Sequence, residues 1–303
     1  MRDDSALRRL CLRMRMHTVQ SPQIAQRAKH FFLVATLLLG YTFVAAAQEP
    51  ASTPGATNPL PDAPEVRSGG VTPSPATEAA AIRAIPRDFL HDQAAIWTCA
   101  ARLRPRDFVW LAPLAAATGT AIATDHRTMT QVVSHRPDFN QANVNASNAL
   151  IGLWIASPVA VYGVGHFQQN AHLREAGILS AEAMLDGVVV EQGMKLMFWR
   201  ERPNTDSARG HFFQSSVGTD SSFPSSHSLI AWSAASALAA ESSSHWTQFA
   251  LYSAATGVSL TRVMGQEHFP SDVLVGSAVG WLIGHNVVRR HHHTAKQTRG
   301  ADR

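Results

Sequence analysis

The chain has 303 residues, enough for one large domain or two small ones, with 16% charged and 45% hydrophobic residues. Its formal charge of +4 sits in the leader, where residues 1–30 hold Arg2, Arg8, Arg9, Arg13, Arg15, Arg27 and Lys29 against Asp3 and Asp4. The remainder of the chain is close to neutral, which excludes a basic nucleic-acid-binding body, and with only Cys11 in the leader and Cys99 beyond it a mature chain has no internal disulfide.

Phe31 to Ala47 reads FFLVATLLLGYTFVAAA, an apolar run behind a basic segment that closes on the small-x-small Ala45-Ala46-Ala47. Only small side chains fit the two pockets of signal peptidase, so residues 1–47 read as a signal peptide cut after Ala47. The basic segment is long for such a peptide, which makes Met14 and Met16 alternative starts. The competing reading is a retained N-terminal anchor, about 25 Å long at 1.5 Å per residue. Both place the remainder outside the cytoplasm, in the periplasm or cell envelope. Residues 48–85, rich in Pro, Ala and Ser, have no apolar period and are expected to form a disordered linker.

Residues 86–289 carry the helical patterning. Arg87 to Arg102 has a drifting apolar stripe, with Cys99 expected as a buried small apolar residue, and Pro105 interrupts it. Phe108 to Thr124 reads as an apolar helix, 127–145 as a loop around Pro137, and Ala149 to Gly165 as a helix kinked at Pro158. Leu173 to Trp199 is a long helix carrying Glu175, Glu182, Asp186, Glu191 and Lys195, and Asn204 to Ser222 is a Gly/Ser/Asp-rich loop. Helices are also expected over Pro224–Ala240, Trp246–Met264 and Pro270–Val288. Residues 290–303 read as a disordered basic tail, in which His291-His292-His293 is first of all solvated. Absence of strand patterning makes the fold all-α, and short loops between long helices imply an antiparallel helical bundle.

Three clusters fall at one end of such a bundle. Lys195 and Arg202 are seven apart, on one helix face if the helix runs to Arg202, where Pro203 would stop it. Alone they are an ordinary basic helix end; an arginine can also grip two phosphate oxygens while a lysine adds a compact charge. Phe223-Pro224-Ser225-Ser226-His227 reads as a helix start with Ser222 as N-cap and Pro224 as first residue, whose free N–H groups face an anion. Capping alone explains it equally well. Arg262, His268 and Asp272 close the set: from the start of the last helix Asp272 can reach His268, fix its tautomer and free its other nitrogen, although a capping aspartate beside a surface histidine fits the same spacing.

The three in order resemble the signature of the type 2 phosphatidic acid phosphatase / vanadium haloperoxidase superfamily, Lys-x6-Arg-Pro, Pro-Ser-Gly-His and Ser-Arg-x5-His-x3-Asp. Lys195, Arg202, Pro203, Pro224, Ser225, His227, Arg262, His268 and Asp272 match it. Ser226 stands where the family has Gly and Thr261 where it has Ser; a Cβ at 226 threatens to crowd the anion. The resemblance implies that His268 attacks phosphorus, Asp272 orients it, His227 protonates the leaving oxygen and then activates water, and Lys195, Arg202, Arg262, Ser225 and the Ser226 N–H hold the phosphoryl oxygens. It implies no metal or cofactor, with vanadate as a phosphate-mimicking inhibitor.

The reading is a metal-independent phosphate-monoester hydrolase acting on lipid phosphates or small phosphate esters. The alternatives are a vanadate-dependent haloperoxidase, disfavoured by Asp272 and by the short chain, and an inactive anion-binding envelope protein. The apolar stretches are near the lower limit for crossing a bilayer, and mean hydropathy is −0.07, so membrane association and oligomeric state stay open. Asn145-Ala146-Ser147 fits a glycosylation pattern too short to weigh. His211 sits in the loop expected to cross the site mouth.

Overall fold

Seven α-helices and three 3₁₀ turns succeed one another, and no strand occurs among the residues described by the computed structural model, 75–215 and 221–301. The expected signal peptide or anchor and most of the expected linker lie outside the described residues. The helices are α1 Pro75–Trp97, α2 Phe108–Gln131, α3 Pro137–Phe167, α4 Ala171–Phe198, α5 Ser226–Glu241, α6 His245–Met264 and α7 Pro270–Ala301. The all-α reading holds.

Several boundaries differ from the expectation. Helix α1 begins at Pro75 and carries Pro86 inside it. The loop expected over 127–145 shrinks to 132–136, because α2 runs on to Gln131 and Pro137 opens α3 rather than breaking it; proline at the first helical position gives up only an N–H that has no intrahelical partner. Cys99 is exposed on a 3₁₀ turn, not buried on a helix. The last helix runs on to Ala301, where a tail was expected from 290. Its side chains find acids on neighbouring helices: Arg290 pairs with Asp92, His291 Nε2 lies 2.9 Å from Glu175, and His292 Nε2 lies 2.7 Å from Glu241.

Helix α5 packs chiefly on α7 and then on α4 and α6. The α5–α7 contact is made at backbone distance. A Cβ at Gly280 would collide with the Leu229 carbonyl oxygen, and one at Gly284 with that of Ser233. Glycine at this four-residue spacing leaves a groove in α7 into which α5 sinks. Leu179, Ala183, Val190, Leu229, Ile283 and Val287 fill the core between α4, α5 and α7. A second cluster, Met129, Val133, Ala208, Val263 and Phe269, lies at the end where the sequence clusters meet. The close approach also joins helix starts: Ser225 N–H donates to the Asp272 carbonyl at 3.1 Å.

Candidate active site

Helix α4 ends at Phe198, one residue before the expected Trp199 and four before the stop that Pro203 would set at Arg202. Trp199 takes the left-handed conformation, φ 39° and ψ 50°, and its N–H closes on the Lys195 carbonyl. Lys195 is therefore in the last turn, and Arg202 approaches from the adjoining loop rather than along a shared helix face. That loop returns over the site: Ser222 N–H donates to the Arg200 carbonyl at 2.8 Å, and Phe198, Phe212 and Phe223 stack edge to face. His211 Nε2 lies 3.5 Å from Asp206 Oδ2, and its carbonyl accepts from Glu201 N–H at 3.1 Å.

The helix cap at α5 is three residues later than expected. Ser225 is the N-cap, accepting from Ser228 N–H, and Ser226 is the first helical residue. Ser222 instead donates its hydroxyl to the Glu201 carbonyl at 2.9 Å and uses its own carbonyl on His268. The Phe223-Pro224 bond is cis, and Pro224 lies outside the helix. The Ser225 hydroxyl also accepts from Ser228 Oγ at 3.2 Å, so its own proton is left to donate.

His268 is buried. Its Nδ1 faces the Ser222 carbonyl at 2.7 Å; a carbonyl only accepts, so Nδ1 carries the proton and Nε2 keeps its lone pair. Sequence reasoning gave that orienting role to Asp272. The Asp272 Oδ2 lies 3.7 Å from Nδ1, beyond hydrogen-bond distance. Asp272 is held elsewhere, accepting from Phe269 N–H at 2.8 Å and from Arg200 Nη1 at 2.6 Å. Burial pushes its carboxyl up to about 6, with Arg200 and the Phe269 N–H pulling the other way. The Asp272 carboxyl thus stands beside His268 without a hydrogen bond to it, while a backbone carbonyl sets the tautomer.

Arg200 lies outside the sequence signature, yet the fold buries it at the site. It is 1% exposed and reaches Asp272, Ser271 Oγ at 2.6 Å, Asp125 Oδ2 at 2.8 Å and the Gly210 carbonyl at 3.1 Å. Its guanidinium is sandwiched by Phe212 and Phe269, 4.7 and 4.1 Å from the ring centroids. Asp125 also accepts from Ser271 N–H and Oγ. The one available signal was Asp125 itself, an acid in the apolar α2 that demands a buried cation.

His227 is half-buried and its Nε2 donates to Asn148 Oδ1 at 3.1 Å. The neighbouring Ser147 is fully buried and accepts from Arg262 Nη1 at 3.1 Å. The stretch that resembles a glycosylation site thus serves the pocket through Ser147 and the adjacent Asn148. Burial, followed by the charges of Arg262, His268, Lys195 and Arg202, lowers the His227 pKa to about 3. Burial and then Arg262, Arg202 and Lys195 hold His268 well below its ordinary range. All three cations therefore act on both imidazoles, and the residues of the three sequence clusters are brought to one place.

Each cation has a carboxylate. Glu191 Oε1 lies 2.9 Å from Lys195 Nζ and accepts from Ser226 Oγ at 2.6 Å, while Gln192 donates to its other oxygen at 2.7 Å. The Ser226 side chain is thus tied to α4. Glu267 Oε2 lies 3.0 Å from Arg202 Nη1 and 3.2 Å from Arg262 Nη2. Neither Glu191 nor Glu267 is part of the sequence signature. No cluster of three or more His, Cys, Asp or Glu side chains suited to a metal occurs among the described residues.

The chain contains a domain of the PAP2 superfamily, whose family model matches residues 176–295. That span contains every residue of the three clusters. Membership implies phosphatase- or haloperoxidase-type chemistry in general and, for phosphatases, phosphate-ester substrates. No curated protein and no solved structure matches the chain.

Proposed function

We propose that the protein is a metal-independent phosphate-monoester hydrolase acting outside the cytoplasm through a phosphohistidine, on lipid phosphates or small phosphate esters. The observation that carries this reading is the convergence of Arg262, Arg202 and Lys195 on two neutral imidazoles. One of those imidazoles has its tautomer fixed by a carbonyl. A phosphoryl dianion set among the cations meets His268 Nε2, whose lone pair forms the P–N bond as the P–O bond to the leaving group breaks. His227 gives that oxygen its proton. Water then attacks phosphorus, His227 takes the water's proton, and the P–N bond breaks to release phosphate.

The low pKa of His227 fits this cycle only with substrate present. Burial is the largest cause of the depression, and a dianion offsets the charges of Arg262, Lys195 and Arg202 that add to it, which moves the imidazole back toward the proton it must deliver. Pre-placed cations and the α5 N–H groups carry the charge developed on the phosphoryl oxygens. Because Glu191 draws the Ser226 side chain aside, the substitution for glycine leaves the anion face to the backbone N–H.

The test is turnover of a chromogenic phosphate monoester with a chelator present, and bromination with vanadate, bromide and peroxide in a parallel assay. The expected result is chelator-resistant hydrolysis, inhibited by vanadate and lost in His268→Ala. Bromination without hydrolysis would replace this reading with the haloperoxidase. Phosphate binding with neither activity would make the protein an anion-binding one.

A further inference from the structure

The two carboxylates on the pocket cations differ in one respect. The Glu191 side chain is 2% exposed and has three donors on it, from Lys195, Ser226 and Gln192. It is a fixed part of the wall. The Glu267 side chain is 27% exposed, while that of Arg262 is only 6% exposed. A single Glu267 oxygen, Oε2, bridges Arg202 and Arg262. Arg262 Nε is buried with no hydrogen-bond partner, so the shared carboxylate oxygen leaves part of this guanidinium's donor set unused.

The backbone around Glu267 is held by other contacts. Its N–H donates to the Arg262 carbonyl at 3.1 Å, Gln266 takes φ 57°, and Gln266 Nε2 donates to the Ser134 carbonyl at 2.9 Å. The side chain can therefore swing toward water without moving His268, the next residue.

We propose that Glu267 is a displaceable counter-anion: its carboxylate stands between Arg202 and Arg262 until a terminal phosphoryl group takes both guanidiniums from it, and it returns as phosphate leaves. The inference rests on the phosphatase reading and adds a residue that sets specificity and product release. A bidentate guanidinium contact is stronger than the single shared oxygen of Glu267. A group with three free phosphoryl oxygens can engage both arginines and Lys195 and displace the carboxylate; an isolated carboxylate ligand gains no such advantage. The same competition keeps inorganic phosphate from binding tightly after turnover.

The alternative role for Glu267, a brace that aligns the arginines, predicts the opposite sign. The experiment is calorimetric titration of inorganic phosphate into the full chain and into the Glu267→Gln and Glu267→Ala variants. Both variants are expected to bind phosphate about tenfold more tightly than the parent, as loss of a competing ion pair worth about 1.4 kcal/mol would give. Tighter binding by the variants when the parent binds none would support the proposal equally. Equal or weaker binding by both variants, with the parent binding, would overturn it and leave the phosphatase reading standing. No binding by any of the three would overturn both.

Discussion

Ser226 is the one departure from the signature that touches the anion turn, and its partner shows why the helix tolerates it. The hydroxyl lies 2.6 Å from Glu191 Oε1, the same oxygen that holds Lys195. Ser226 therefore ties the start of α5 to the last turns of α4, and the pair Glu191–Ser226 has to be read as a unit. A hydrogen bond to a charged acceptor contributes about 1.5–3 kcal/mol, and glycine in a helix adds about 0.5–1 kcal/mol of backbone entropy loss. Ser226→Gly is expected to lose about 2–4 kcal/mol in denaturant unfolding while kcat/KM stays within about threefold of the parent. A larger loss of kcat/KM at unchanged stability would show that the hydroxyl acts on the phosphoryl group. Little of this was legible beforehand. Ser226 announced a departure, but its partner lies 35 residues upstream, and only the α4–α5 packing brings Glu191 across. Arg200 was hidden for the same reason, since its two acids, Asp125 and Asp272, come from α2 and α7.

At the scale of elements, hydrophobic periodicity found every long helix but misplaced its ends where a cap or proline decides. Arg202 was assigned to α4 because Pro203 comes directly after it; the left-handed Trp199 had already ended the helix. The α4 sequence also carries acids whose state periodicity cannot give. Glu182 and Asp186, one turn apart, are both buried. Burial, then Asp92, Asp186 and Asp88, raises Glu182 from 4.5 to about 7. Burial raises Asp186 to about 7 although Gln93 donates to it at 2.8 Å. For a group whose folded pKa exceeds its unfolded value, the folded state binds the proton more tightly. The stabilisation is complete below the unfolded pKa and is lost as pH rises through the folded one. Glu182→Gln fixes the neutral form. Its melting temperature should exceed the parent's at pH 8 and match it near pH 4.5, with the gap opening between 4.5 and about 7. The lowered histidines, common to both chains, cancel from that difference. A gap independent of pH would mean that Glu182 is not neutral in the fold.

For the whole molecule, the convergence of three distant clusters came from topology: antiparallel helices with short loops put alternate ends on one side. The solvent-facing surface was not legible in the same way, because the apolar stretches were too short and too rich in small residues to separate core from lipid. The structure separates them by exposure. Helix α3 is long and apolar enough to cross a membrane, yet only 22% of its most apolar window is buried. Ile155 and Val159 on it are 56% and 76% exposed, and Phe167 at its end 87%. Val109 on α2 and Trp246 on α6 add 78% and 81%. These apolar side chains are exposed on three helices, and α3 has no Asp, Glu, Lys or Arg after Asp138. These exposures suit a body that meets lipid through α3 and its neighbours. The discriminating protein lacks residues 1–47. If the body meets lipid, this shortened chain will sediment with vesicles, resist a high-salt wash that strips electrostatically bound proteins, and come off in detergent. If residues 31–47 are the sole attachment, it will stay in the supernatant without detergent, and the exposed face of α3 must then be covered by something other than lipid.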